Sequence, residues 1–381
     1  MRTMWPFSFY FLQFAGFATV GPFLVLYYQE LGFTGAQIGL LTGVTPLVTF
    51  LCSPLWTRIA DRTGKHRPLM SASLLLGIAT LVAFPFFPGF LSVVLIAILL
   101  NAFLAPVMPF ADNATMTMLG ERGSMYGRVR IGGTIGYGVA AALAGLLVHQ
   151  FGLRSAFWGC ASLFVLAFLA SRHLVHGDVS PGAERAGISL RALLANPRWI
   201  PFIAIAFTGG LALASFNYLF PYMKDIGAPE SMMGLALTIG TIVEIPILFF
   251  AHRMIHRLSS RTVLWLAMIV TGVRMLLFAA NAIPELVLVI QVLNGATFAL
   301  MWVAGVAYAN EHAPPGLSAT SQGVFNAMVN GIGVAVGGFI GGPLLERLGG
   351  RGLYLAYGII VLGVLAVVGL VQTRYSLRET T

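Results

Sequence analysis

Stretches of mainly apolar residues, each about 20 long, recur from one end of the chain to the other between short polar segments. A helix of that length crosses a hydrocarbon core of about 30 Å. The pattern predicts twelve spans, over residues 6–28, 36–59, 68–87, 90–114, 127–149, 154–174, 198–221, 231–251, 262–280, 285–309, 319–345 and 353–373. Six precede the longest polar segment and six come after it. Sliding the sequence by 195 positions superposes the two sets: Pro6 falls on Pro201, Tyr27 on Tyr222, Gly32 on Gly227, Arg58 on Arg253 and Arg62 on Arg257. After a slip of two, Gly136, Gly145 and Arg154 fall on Gly333, Gly342 and Arg351. The expected fold is therefore an all-α membrane protein of twelve transmembrane helices in two pseudo-symmetric six-helix halves. Its expected units are residues 1–175, a cytoplasmic linker over 176–197, and residues 198–381. An even number of spans per copy keeps both copies the same way up.

Composition agrees: 58% of residues are hydrophobic, 9% are charged, and the mean hydropathy is +0.87. The excess of basic residues reports topology. With the amino terminus in the cytoplasm, 17 Lys and Arg lie inside or at the inner boundary, against Arg154, Lys224, Arg347 and Arg351 outside. That bias places both termini in the cytoplasm and the chain in the inner membrane. The +9 net charge is scattered over short loops, so it offers no face for nucleic acid. The first apolar run is too long for a signal-peptide core and is expected to remain as a helix. Cys52 and Cys160 both fall within spans, which argues against a disulfide framework. The connections leave no room for an extramembrane domain. The linker holds Pro181, with Leu190 to Leu194 as a candidate surface helix.

Prolines 22, 46, 54, 106, 109, 246 and 343 lie inside the spans, where neighbouring helices can satisfy the freed backbone groups. Glycines spaced four apart, at Gly132 and Gly136 and again at Gly333, Gly337 and Gly341 with Gly338 and Gly342, predict close helix packing. They are assigned to sliding contacts between the halves.

Between spans two and three stands Asp61-Arg62-Thr63-Gly64-Lys65-His66-Arg67, with a degenerate copy at His256-Arg257-Leu258-Ser259-Ser260-Arg261. This segment resembles the loop motif of the major facilitator superfamily, with Thr57 where that pattern has its first glycine. Together with the duplicated six-span plan, the resemblance covers the whole chain. It implies the major facilitator fold, function as a monomer, and a gating role for Asp61, Arg62 and Gly64. Tyr126 to Arg130, Glu244-Ile245-Pro246, Arg274, Gln291 and Gly295-Ala296-Thr297-Phe298 resemble the branch that holds phenylpropionate permease-like and nucleoside:proton symporter-like carriers. That branch often has a tryptophan where Gly132 stands and a histidine where Asn294 stands.

Charges within spans are functional suspects, since each costs about 2.5–3.5 kcal/mol at a helix centre on insertion scales. Glu244 is either a proton-coupling carboxylate or a static partner of Arg274, and Arg274 either binds a substrate carboxylate or serves only that pair. Their depths, roughly 20 and 10 Å from the outer side, leave a direct or water-bridged pair within reach. Asp112 and Arg130 lie at similar depths near the inner ends of spans four and five. They are candidates for a cytoplasmic gate or for an interfacial pair of little consequence. In the superfamily, spans one, four, seven and ten face a central cavity, which makes Gln13, Asn101, Asn217, Tyr218, Asn294 and Trp302 the implied lining. Another helix could equally satisfy each of these amides. His149 and His173 read as interfacial.

A duplicated membrane half is the plan of an alternating-access transporter. The expectation is a proton-coupled symporter of a small organic solute (an aromatic acid, a nucleoside or a sugar) needing no cofactor and no metal. Proton-antiport efflux is the alternative within the same fold. A passive channel and a membrane-embedded enzyme are the other classes. The enzyme would need a nucleophile elbow or metal-ligand pair that the sequence lacks.

Overall fold

The computed structural model describes residues 3–177, 199–314 and 317–378. Most of the linker, with Leu190 to Leu194, lies outside the described residues. Among the described residues, all regular structure is helical. Ten helices are Met4–Glu30 (α1), Gly35–Thr63 (α2), His66–Phe86 (α3), Phe90–Gly123 (α4), Tyr126–Phe151 (α5), Arg154–Ser171 (α6), Trp199–Asp225 (α7), Glu230–Leu258 (α8), Ser260–Ala280 (α9) and Pro284–Glu311 (α10). The segment Thr320–Gln372 turns back at Gly349, whose φ of 67° and ψ of 179° leave the helical region. It supplies α11 before the break and α12 after it, which makes twelve passes.

The 195-residue period reappears in the helix bounds. Met4–Glu30 and Trp199–Asp225 are both 27 residues long, and Gly35–Thr63 and Glu230–Leu258 are both 29. Both members of the first pair are interrupted at the same place, by 3-10 turns at Gly21–Phe23 and Ser215–Tyr218. Ends are set by local chemistry. Thr34 and Gln37 form a reciprocal capping box at the start of α2, and Gly64 closes that helix with φ at 67°.

The halves meet at the end where α2, α5, α8 and α11 carry glycine, because only there can two backbones touch. A Cβ on Gly342 would stand 2.1 Å from the Gly35 carbonyl oxygen and 2.3 Å from Gly39 N, and one on Gly145 would lie 2.6 Å from the Glu230 carbonyl oxygen. Hydrogen bonds reinforce both seams. Thr42 Oγ1 donates to the Gly338 carbonyl at 3.1 Å, Thr238 Oγ1 donates to the Gly138 carbonyl at 2.7 Å, and His149 Nδ1 lies 3.1 Å from Glu230 Oε2. Toward the Asp61 end the halves part around hollows.

The glycine rows therefore divide differently from the expectation. Gly132 and Gly136 face the backbone of Phe7 and Phe11, and so seat α5 on α1 inside the first half. Gly333, Gly337 and Gly341 seat α11 on α7 inside the second. Only Gly338 and Gly342 face the other half, toward Thr42, Gly35 and Gly39. One residue along a helix turns the side-chain direction by about 100°, so the row starting at 333 and the row starting at 338 serve different neighbours.

Candidate functional site

Two hollows that share Leu213, Phe216, Asn294 and Phe298 form one site near the middle of the molecule. The larger, about 230 Å³, lies between the halves and takes Phe14 from α1 and Thr134 and Tyr137 from α5. Across from them stand Thr241 and Glu244 of α8 and Gln291 of α10. The smaller, about 60 Å³, extends into the second half to Arg274, Thr297 and Tyr354. Together they stand at the small end of the ~300–1,000 Å³ typical of small-molecule sites.

Helix α10 is irregular where it meets this site. A 3-10 turn over Gln291–Leu293 is followed by a π-helical turn over Gly295–Ala299. Such turns inside helices are frequent at functional sites because they re-aim side chains. Here Gln291, Asn294 and Phe298 line one chamber, while Asn294, Thr297 and Phe298 line the other. Arg274 Nη2 donates to Gln291 Oε1, Arg274 Nη1 donates to Thr297 Oγ1 at 3.2 Å, and the guanidinium lies 5.3 Å from the centre of the Phe278 ring. Its Nε is buried with no hydrogen-bond partner.

The acid–base contacts of salt-bridge length among the described residues are Arg130 with Asp112, and His66 with Asp61 and His149 with Glu230, the last two ionic only when the imidazole is protonated. Glu244 and Arg274 therefore line one site without touching. The direct pair considered from their depths is not formed in this conformation, since neutral groups hold Arg274 instead. Asp112 and Arg130 do come together, at 3.0 Å. Tyr10 donates to Asp112 at 2.6 Å, Arg130 donates to Tyr126 at 3.2 Å, and the Arg130 guanidinium lies 5.8 Å from the centre of the Phe14 ring. All of these belong to the first half, so the pair does not itself bridge the halves. At the motif loop, Asp61 accepts from or pairs with His66 at 3.1 Å, and Gly64 makes the left-handed turn. His66 is buried and its ring stacks 6.2 Å from His176.

The remaining expected lining residues scatter. Gln13 is fully buried, and neither of its amide atoms has a hydrogen-bond partner. Asn101 lines a separate hollow and bonds to the Ala97 carbonyl and Thr49. Asn217 sits half-buried in the 3-10 turn of α7. Tyr218 belongs to the seam, donating to the Gly338 carbonyl at 2.8 Å. Trp302 packs among Phe298 and Phe325. Sequence reading missed Phe14, Thr134, Tyr137, Phe216 and Thr241, because an aromatic or threonine in an apolar run carries no signal of which way it faces.

The chain matches the model of the MFS_1 like family over residues 5–356. It is 29% identical to a maltose permease of Geobacillus stearothermophilus, covering 99% of this chain and 96% of that protein. It is 27% identical to the probable 3-phenylpropionic acid transporter of Escherichia coli (strain K12), covering 94% and 95%. The crystal structure of the nucleoside transporter NupG superposes with a TM-score of 0.86 at 19% identity, covering 97% of this chain and 98% of that one. Its relatives are transporters and not enzymes. The chain belongs to the MFS_1 like family, a multi-pass membrane transporter of small solutes within the major facilitator superfamily.

Proposed function

We propose that the protein is an electroneutral symporter of one proton with a small organic monoanion, working by alternating access around the site between Glu244 and Arg274. One observation carries the reading: two opposite charges line one small site, and neither has an ionic partner. With the site empty, ionised Glu244 and Arg274 sum to zero. With a carboxylate on Arg274 and a proton on Glu244, the sum is again zero. Either ligand alone leaves a net charge in a poorly solvated interior, at a cost of several kcal/mol. Coupling arises from that imbalance, because only the empty and the doubly loaded states move easily.

Arg274 suits a carboxylate because its planar fork is permanently charged and already oriented by Gln291 and Thr297. The small volume and the rings of Phe14, Phe216 and Phe298 favour an aromatic acid over a nucleoside or a disaccharide. With both termini in the cytoplasm of an inner membrane, the sealed end faces outward and this conformation opens inward. In the same reading Asp61, Arg62 and Gly64 gate the inner end, and the Asp112–Arg130 pair fixes α4 against α5 beside it.

Purified protein in vesicles, given radiolabelled 3-phenylpropionate and a pH gradient, tests the reading. Uptake should follow the pH gradient and ignore an imposed membrane potential. Glu244→Gln should abolish accumulation while preserving exchange of labelled for unlabelled acid. Arg274→Gln should weaken the acid at least tenfold yet leave 3-phenylpropionamide nearly unchanged. Equal pH-driven uptake by Glu244→Gln, or acceleration by the potential, would overturn it.

A further inference from the structure

A hollow larger than the Glu244 site, about 730 Å³, lies between α1, α2, α3, α4 and α6 of the first half and α11 of the second. It shares no lining residue with the Glu244 site: Phe14 faces one and Phe17, three positions along α1, faces the other. We propose that it is a second binding site, for an uncharged solute with a mostly apolar, aromatic-sized body and a hydrogen-bonding group.

The lining dictates that class. Phe17, Phe50 and Phe164 offer ring faces among leucines and prolines, and no Lys, Arg, Asp, Glu or His reaches the wall. A charged solute would lose its hydration and gain no counter-charge, which disfavours it on the order of 100-fold. Polar groups stand on two sides. On the first half, Asn101 Nδ2 spends one N–H on the Ala97 carbonyl and Asn101 Oδ1 accepts from Thr49, which leaves one N–H over. On the second, Asn330 Nδ2 donates to Asn326 Oδ1 at 2.8 Å, which leaves the Asn326 amide nitrogen and the Asn330 carbonyl oxygen over.

Asn326 and Asn330 are exposed although they lie on a membrane-spanning helix, and both line this hollow. An amide facing lipid would be costly, whereas one facing an accessible cavity is not. Asn330 sits within a second π-helical turn, Ala327–Gly333, as the Thr297 turn of α10 sits at the Glu244 site. The volume lies well inside the ~300–1,000 Å³ range of small-molecule sites. The proposal stands independently of proton coupling at Glu244.

Benzophenone is a suitable probe, being uncharged, two rings wide and able to accept a hydrogen bond while it photolabels nearby C–H groups. The full-length protein in phosphatidylethanolamine–phosphatidylglycerol vesicles would be illuminated and its adducts mapped by mass spectrometry. Adducts should concentrate on residues 46–54, 100–109 and 323–331. They should persist in Glu244→Gln and fall at least fivefold in the double variant Asn326→Leu with Asn330→Leu. Ser53→Phe, which fills the hollow from α2, should give the same fall and replaces the double variant if that one does not fold. The charged analogue 4-benzoylbenzoate should label these segments at least tenfold less. Equal labelling by the charged analogue, or adducts spread evenly to lipid-facing positions such as Leu91 and Phe249, would overturn the proposal. Labelling present in detergent but absent in lipid vesicles would assign the hollow to a lipid chain and overturn it equally.

Discussion

At residue 259 the second copy of the repeat departs from the first in a way that has a measurable consequence. Gly64 and Ser259 are equivalent positions 195 residues apart, and both have positive φ, 67° and 73°. Ser259 is the one non-glycine residue so placed among the described residues, and its ψ of 153° lies in a region that is nearly glycine-only. Its hydroxyl offsets part of the strain by accepting from the Thr262 amide. Glycine is nearly as good at a helix start, losing a few tenths of a kcal/mol. Ser259→Gly should therefore stabilise the protein by about 1 kcal/mol, read as a higher Tm in detergent. His176, beyond the end of α6, gives a second residue-scale expectation. Burial pushes its imidazole down to about 4, with the His66 and Arg67 charges adding to the shift. The folded chain then resists a proton that the unfolded chain accepts near 6.5. Stability should accordingly be intact above about pH 6.5 and should fall as pH drops toward 4. Thermal unfolding at pH 7 and 4.5 should show a smaller drop in Tm for His176→Asn than for the parent, by roughly a few degrees.

On the scale of the helices, apolar run length carried most of the information, because a bilayer fixes how long a span must be. The spans expected at 36–59 and 231–251 are the helices Gly35–Thr63 and Glu230–Leu258. Glu244 and Arg274 were legible because a charge stands out in an apolar run, and the structure brings both to one site. Facing was not legible. The glycine rows announced close packing, but which neighbour each row meets depends on the rotation of a helix within the bundle, which no local pattern fixes. Tyr218 faces the seam for the same reason, and the irregular turns of α10 also rotate the residues beyond them. The seam glycines are testable at this scale. Gly342→Val would drive a side chain into the Gly35 and Gly39 backbone, so it should hold the sealed end apart. Spin labels at Glu30 and Arg347 of a cysteine-free protein should report a distance increase of several ångströms, and an unchanged distance would remove the seam from the closing contact.

For the molecule as a whole, the two seams are copies of one contact. Gly39 meets Gly342 on one side and Gly234 meets Gly145 on the other, and these pairs exchange under the same duplication that relates the halves. Because main chain rests on main chain at both, no rotamer can shift to accommodate a small displacement. The mouth should thus behave as a two-position valve with paired hinges, docked on both flanks or free on both, since unzipping one flank alone would shear the other. Ajar states, through which solute could leak, have nothing to rest on.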